Sequence, residues 1–166
     1  MMSFSNLTAA SASDESLVLS SGRLTSLPRD VPAGTVSLHL DDNAIRSVCA
    51  DETLPSSVKY WSMARNHLTT LPNNMGASGL ELVSLGLSHN RIHSLSALLP
   101  LTLSSASSSA RGSGFASSLL ELELSHNALA AEQLACLCGL RALQTLDLAH
   151  NSLEGGLAQV RSSTPE

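Results

Sequence analysis

Three histidines occupy equivalent places in three related stretches: His89 in LVSLGLSHNRI, His126 in LLELELSHNAL and His150 in LQTLDLAHNSL, each one residue before an asparagine. Imidazoles brought together on consecutive turns of a chain could share a divalent cation or titrate jointly at about pH 6.5. No cysteine or carboxylate is spaced to complete a tetrahedral set, so no metal is assigned, and a site on His89, His126 and His150 is the lesser alternative. The same slot in earlier stretches holds Ser21, Asp42 and Arg65, which reads as an exposed position filled by polar residues through duplication. A second group is acidic: Glu121, Glu123 and Asp147. A general acid–base pair needs a pocket to pull one carboxyl pKa away from the other. An open surface offers no such burial, so a solvated patch that meets a basic partner is the better reading. Cys136 and Cys138, in AEQLACLCGL, raise redox or metal chemistry, but their amphipathic setting points to buried thiols. The sequence contains no glycine-rich phosphate loop, nucleophile elbow, zinc-protease motif or kinase signature. It therefore offers no catalytic residue and no cofactor, and the protein is not read as an enzyme.

What positions these groups is a repeat. Aligned on the asparagine, LQTLDLAHNSL (Leu143 to Leu153), LLELELSHNAL (Leu119 to Leu129) and LVSLGLSHNRI (Leu82 to Ile92) are joined by VKYWSMARNHL (Val58 to Leu68) and TVSLHLDDNAI (Thr35 to Ile45). The earliest copy, LVLSSGRL (Leu17 to Leu24), carries Gly22 where the asparagine belongs. The anchors Gly22, Asn43, Asn66, Asn90, Asn127 and Asn151 are spaced 21, 23, 24, 37 and 24 residues apart. Alternation in Leu-x-Leu places both leucines on one side of a short strand and the residues between them on the other. A single such strand cannot bury its apolar side, so each must stack on the next, at about 4.8 Å, with the backs of the turns closing the core. The asparagine falls where the chain turns inward and strands backbone N–H and C=O groups. Its side chain carries both a donor and an acceptor to satisfy them. Gly22 ends that ladder at the first turn.

A period in the low twenties with this consensus resembles the leucine-rich repeat family, and the likeness covers Asp14 to about Val160. It implies an α/β solenoid, a horseshoe of about six rungs with short parallel strands on the concave face. Leu24-x-x-Leu27-Pro28 and Leu68-x-x-Leu71-Pro72, with Pro32 and Pro55, predict extended or 3-10 backs in the first half. Ala130 to Leu143 lacks proline and spaces Leu134, Leu137 and Leu140 for a short α-helix in the last full repeat. The outward strand positions are then Ser16, Ser37, Tyr60, Ser84, Glu121 and Thr145 in one row, and Val18, His39, Ser62, Gly86, Glu123 and Asp147 in the next. Trp61 and Met63 take inward leucine slots.

The 166 residues suit one domain, with a flexible tail over 1–13, the repeats over 14–160 and a C-terminal tail over 161–166. The long spacing of 37 is accounted for by Leu103 to Ser118, whose SSASSSARGSGFASS is too poor in apolar residues to order itself and reads as a loop inserted at a surface turn. Phosphorylation of that serine-rich loop is a further possibility. Hydrophobic residues make up 43% of the chain and aromatics 2%, so the core is aliphatic. A net charge of −5, without a basic stripe or stacking aromatics, argues against nucleic acid and against an anionic membrane as partners. No apolar run reaches the length of a membrane span. Met1 to Ser13 lacks the basic start and apolar run of a secretory signal, and three unpaired-number cysteines, Cys49, Cys136 and Cys138, fit a reducing compartment. The expected location is the cytoplasm, with cytoskeletal and nuclear sites left open.

These features imply a non-catalytic protein–protein interaction module, an adaptor or scaffold. It would hold a protein partner with a basic surface through His39, Tyr60, Ser62, Glu121, Glu123 and Asp147 and the flanking turns. Asn43, Asn66, Asn90, Asn127 and Asn151 are structural. Two alternatives are a subunit of a cytoskeletal or ribonucleoprotein assembly that buries the thinly capped ends of the stack, and a regulatory subunit of an enzyme such as a phosphatase. Residues past Leu153 offer only Leu157 and Val160 as apolar cover, so another chain could dock at the exposed solenoid end.

Overall fold

The computed structural model describes residues 15–49, 54–71, 80–98 and 117–155. Six three-residue strands form one parallel sheet in sequence order: β1 (Ser16–Val18), β2 (Ser37–His39), β3 (Tyr60–Ser62), β4 (Ser84–Gly86), β5 (Glu121–Glu123) and β6 (Thr145–Asp147). The register is the one the repeat alignment dictates, Leu17 opposite Leu38, then Trp61, Leu85, Leu122 and Leu146. The middle residue of each strand and the next-but-one residue face the interior. Leu38, Leu40, Met63, Leu85, Leu87 and Leu124 are wholly buried there. Residues two positions past each asparagine, Ile45, Leu68, Ile92 and Leu129, close the same core from the far side. At about 25 cal/mol per Å² of apolar surface removed from water, this shared aliphatic core is the main favourable term in a fold whose rungs touch only their neighbours. Trp61 is core, as its slot requires, but among the described residues its indole Nε1 has no hydrogen-bond partner, a cost of about 1–3 kcal/mol relative to a paired donor.

The asparagines form a continuous ladder. In each rung the amide nitrogen donates to a carbonyl of the preceding rung: Asn43 to Leu19 (2.8 Å), Asn66 to Leu40 (2.9 Å), Asn90 to Met63 (2.9 Å), Asn127 to Leu87 (3.0 Å) and Asn151 to Leu124 (2.8 Å). Each amide oxygen accepts a backbone N–H of that preceding rung, from Leu24, Ile45, Leu68, Ile92 and Leu129 in turn. Gly22 belongs to the first rung, and a Cβ there would lie 2.8 Å from Asn43 Oδ1, inside contact distance. The first turn thus receives the ladder without extending it.

The backs differ in the way their prolines foretell. Pro32 C=O accepts Thr35 N–H (3.0 Å) and Pro55 C=O accepts Val58 N–H (3.1 Å), tight three-residue turns rather than helix. Ser96–Leu98 is a single 3-10 turn. The α-helix expected after Asn127 is corrected: Ala131–Gly139 is a nine-residue 3-10 helix. At about 2.0 Å per residue those nine residues span about 18 Å, which an α-helix of the same length, at about 1.5 Å per residue, falls short of. A three-residue period also puts Glu132, Ala135 and Cys138 together on the solvent side and leaves Cys136 buried. Cys138 is therefore exposed, against the expectation that both thiols are buried.

Leu146 departs too. The Leu-x-Leu alternation places it inside with Leu122, yet it is 40% exposed while Leu85 is wholly buried and Leu17, on β1, is 6% exposed. Leu17 is also paired on one side only, so an edge position does not by itself account for the exposure of Leu146, and Leu148 beside it is only partly buried against the core. The serine-rich stretch lies outside the described residues except for Ser117 and Ser118, as do both tails. Among the described residues no helix is long and apolar enough to cross a membrane.

Candidate functional site

The outward face of the sheet carries two aligned rows. Pairing places Ser16, Ser37, Tyr60, Ser84, Glu121 and Thr145 side by side, and Val18, His39, Ser62, Gly86, Glu123 and Asp147 beside them. The sequence-derived rows and the observed ones coincide because a period of two leaves no freedom once the leucines are buried. Tyr60 is 47% exposed and rises between Ser37 and Ser84, so nothing of comparable size shields its ring. At Gly86 an added Cβ would meet Ser62 Oγ at 3.1 Å and Glu123 Oε2 at 3.7 Å. That gap lets the Glu123 carboxylate lean toward the middle of the face. Glu121 and Glu123 are exposed, and Asp147 is half-buried on the next rung.

Hydrogen bonding holds the earlier half of this face in place. Ser37 Oγ lies 2.9 Å from His39 Nε2, and His39 Nδ1 lies 4.0 Å from Asp41 Oδ2. Asp41 Oδ1 accepts the Ser62 hydroxyl and the Ala64 N–H (2.7 Å). Serine and histidine on β2 and aspartate two residues past His39 invite comparison with a nucleophilic triad. The geometry opposes it: 4.0 Å is too long for the carboxylate to orient the imidazole, and Asp41 is already engaged by the next rung. The network is a brace between rungs, and sequence reasoning missed it because it joins residues from two repeats.

The column before the asparagines is the larger surprise. Ser21, Asp42, Arg65, His89, His126 and His150 all adopt positive φ, between 52° and 58°. Left-handed backbone costs a non-glycine residue about 1–2 kcal/mol, and asparagine, aspartate and histidine tolerate it better than most. All of them except His150 donate their N–H to a carbonyl of the next rung, for example His89 N–H to Ser125 C=O (2.9 Å) and His126 N–H to Ala149 C=O (2.8 Å). The repeated turn projects every side chain from the same edge. Asp42 and Arg65 pair at 3.7 Å, and the three imidazoles stack face to face with centroids 4.1 Å apart at both steps and planes 10° and 14° from parallel. Nitrogen lone pairs lie in the ring plane, so parallel rings do not aim at a common point about 2.0 Å away, as a zinc ion would need. Among the described residues no group of three histidine, cysteine or acidic side chains is placed to hold a metal.

The stack has an electrostatic consequence. Lost hydration lowers the pKa of His126 below the ordinary imidazole value, the adjacent His150 and His89 push it the same way, and Asp147 opposes them. Asp147 is held below the usual carboxylate value chiefly by the Ala149 N–H at 2.9 Å, then by the Ser125 hydroxyl, with His126 and His150 adding to the effect. Asp147 is thus less available to a partner than Glu121 and Glu123, because its oxygen is already bonded within its own turn.

A Leucine Rich Repeat family model matches residues 142–160. The Homo sapiens protein described as "Leucine-rich repeats and immunoglobulin-like domains protein 1" is 31% identical over 159 residues, which cover 87% of this chain and 14% of that protein. An internalin (inlF) from Listeria monocytogenes has a similar fold, with a TM-score of 0.54 at 20% identity over 73% of this chain and 30% of the other. The chain therefore spans a small part of the length of its human relative.

Proposed function

Since this chain belongs to the leucine-rich repeat family, whose members commonly mediate protein–protein interaction, we propose that it is a non-catalytic adaptor that grips a protein partner on its concave face. The observation that carries this reading is Tyr60, an aromatic 47% exposed on a lattice of short, braced side chains. Exposed tyrosines anchored on a rigid frame are typical binding anchors, because little conformational freedom remains to be lost. Glu121 and Glu123 both lie two rungs along the same face, on β5, and favour a basic surface on the partner. His39 and Ser62 stiffen the frame beside Tyr60, and Asp147 contributes charge at the far edge. The location proposed is the cytoplasm. Support comes from the Cys136 and Cys138 thiols, which are not joined in a disulfide.

The test is capture of a partner by the immobilised chain, followed by quantitative binding of that partner to Tyr60→Ala and to Glu121→Lys/Glu123→Lys. Loss of at least tenfold in affinity with each variant is the expected result. A partner bound equally by both variants would place the interface elsewhere. A second reading draws on Leu146, 40% exposed on the last strand: the β6 edge accepts a strand from another chain in an assembly. Self-association or co-assembly abolished by Leu146→Glu, with Tyr60 untouched, would favour it over the adaptor.

A further inference from the structure

Beyond the concave face, the flank just past the asparagine turns has a charge of its own. Arg46 and Ser47 on the second rung, His67 and Thr69 on the third and Arg91 on the fourth line one open cleft of about 390 Å³. The chain is acidic, with 14 acidic residues against 9 lysines and arginines, yet no acidic residue occurs between Glu52 and Glu81 or between Glu81 and Glu121. The ion pairs among the described residues are His39–Asp41, Lys59–Glu81 and Arg65–Asp42, so among those residues the Arg46 and Arg91 guanidiniums have no carboxylate partner. Two exposed guanidiniums that line one cleft are both free to turn onto a single bound anion. The geometry points to this cleft as a binding site for a phosphate monoester group.

The donor set separates that ligand from its rivals. A carboxylate is planar and is satisfied by one guanidinium fork, whereas a tetrahedral dianion takes donors from several sides and balances two guanidiniums. Ser47 and Thr69 add hydroxyl donors, and His67 adds an imidazole, all between or beside the two arginines. A nucleic-acid backbone offers one charge per phosphate and calls for a longer basic track with stacking aromatics, and the cleft has neither. The backbone beneath the donors is already rigid. Ile45 N–H is held by Asn66 Oδ1 (3.0 Å), His67 N–H by Ile45 C=O (2.8 Å), Leu68 N–H by Asn90 Oδ1 (2.9 Å) and Arg91 N–H by Leu68 C=O (2.8 Å). Three rungs about 4.8 Å apart therefore present their donors in a fixed spacing, and only the side-chain ends must settle on the anion. The source of the ester is either a phosphorylated side chain of a protein segment or a small phosphorylated molecule.

The full-length chain is titrated in turn with free O-phosphoserine, with a short phosphoserine peptide flanked by glycine and serine, with the same peptide unphosphorylated and with acetate. Arginine side-chain N–H and backbone amide resonances are followed. Shifts at Arg46, Arg91 and Thr69 are expected with both phosphorylated probes and with neither control. A peptide bound at least tenfold more tightly than the free amino acid assigns the source to a protein segment, and equal affinities assign it to a small phosphate ester. Arg46→Gln/Arg91→Gln should weaken binding by at least tenfold, and Arg46→Lys/Arg91→Lys, which keeps charge and loses the forks, should weaken it less. The site is overturned if acetate gives the same shifts, if the shifts fall elsewhere, or if the glutamine pair, with an unchanged thermal midpoint, binds as the parent does. Tyr60→Ala, which breaks the adaptor reading, should leave this binding unaltered, so the two proposals fail separately.

Discussion

The second to fourth rungs and the last rung are written in the same motif, yet the structure treats them differently. Asn43, Asn66 and Asn90 are buried, while Asn127 and Asn151 are half-exposed, although all five make the same bonds at nearly the same lengths. The strand leucine is wholly buried on β4 and 40% exposed on β6. In a stack the motif sets what a residue points at, and the neighbouring rungs set how much water remains around it. Equal contacts on paper therefore carry unequal free energy. The two regions differ in surface chemistry as well. The earlier rungs carry a braced Ser37–His39–Asp41–Ser62 face and the arginine cleft, and the later ones carry acid and stacked imidazole.

The largest test of this contrast is Leu85→Ala against Leu146→Ala. The first should cost about 3–5 kcal/mol by opening a cavity between two covered rungs, and the second under about 1 kcal/mol. Urea unfolding of both variants reads the difference, and similar losses would mean that the last rung is as well packed as the fourth. Next comes the ladder. Asn66→Ala strands the Leu40 C=O and the Ile45 N–H in a dry interior and should cost about 2–3 kcal/mol, whereas at Asn151 water can reach the groups left behind and about 1 kcal/mol is expected.

A smaller effect sharpens the comparison through pH. His126 has a folded-state pKa below its unfolded value, so the unfolded chain binds the proton more readily. Stability from this ring is full above about pH 6.5 and is lost as pH falls toward the lower folded value. Thermal midpoints taken from pH 8 to pH 5 should therefore fall more steeply for the parent than for His126→Gln, and parallel curves would mean that the stack does not resist protonation. The smallest effect belongs to the Asp42–Arg65 pair in the same column, which is exposed at 3.7 Å. Arg65→Ala should change stability by no more than about 1 kcal/mol, and part of any loss should be recovered in Arg65→Gly, which removes the left-handed strain at φ 52°.

Much of this was legible in the residues alone. Leu-x-Leu followed by asparagine, four times over and with Trp61-Ser62-Met63 in the remaining copy, dictates inward and outward sides, parallel pairing and register, because burying the apolar residues of one rung forces the same phase on the next. Pro32 and Pro55 likewise announced tight backs, since a ring that removes an N–H and fixes φ cannot continue a helix. The polar residue before each asparagine was a signal for left-handed backbone that spacing arguments do not weigh. Three features were decided only by assembly: a 3-10 rather than α-helical back over Ala131–Gly139, the exposure of Leu146, and the gathering of His89, His126 and His150 into a stack and of Arg46 and Arg91 into one cleft. Each depends on a distance between repeats. One-dimensional order carries the phase of every rung, but the space left by a neighbour, and the side chains that meet across it, exist only once the rungs are stacked.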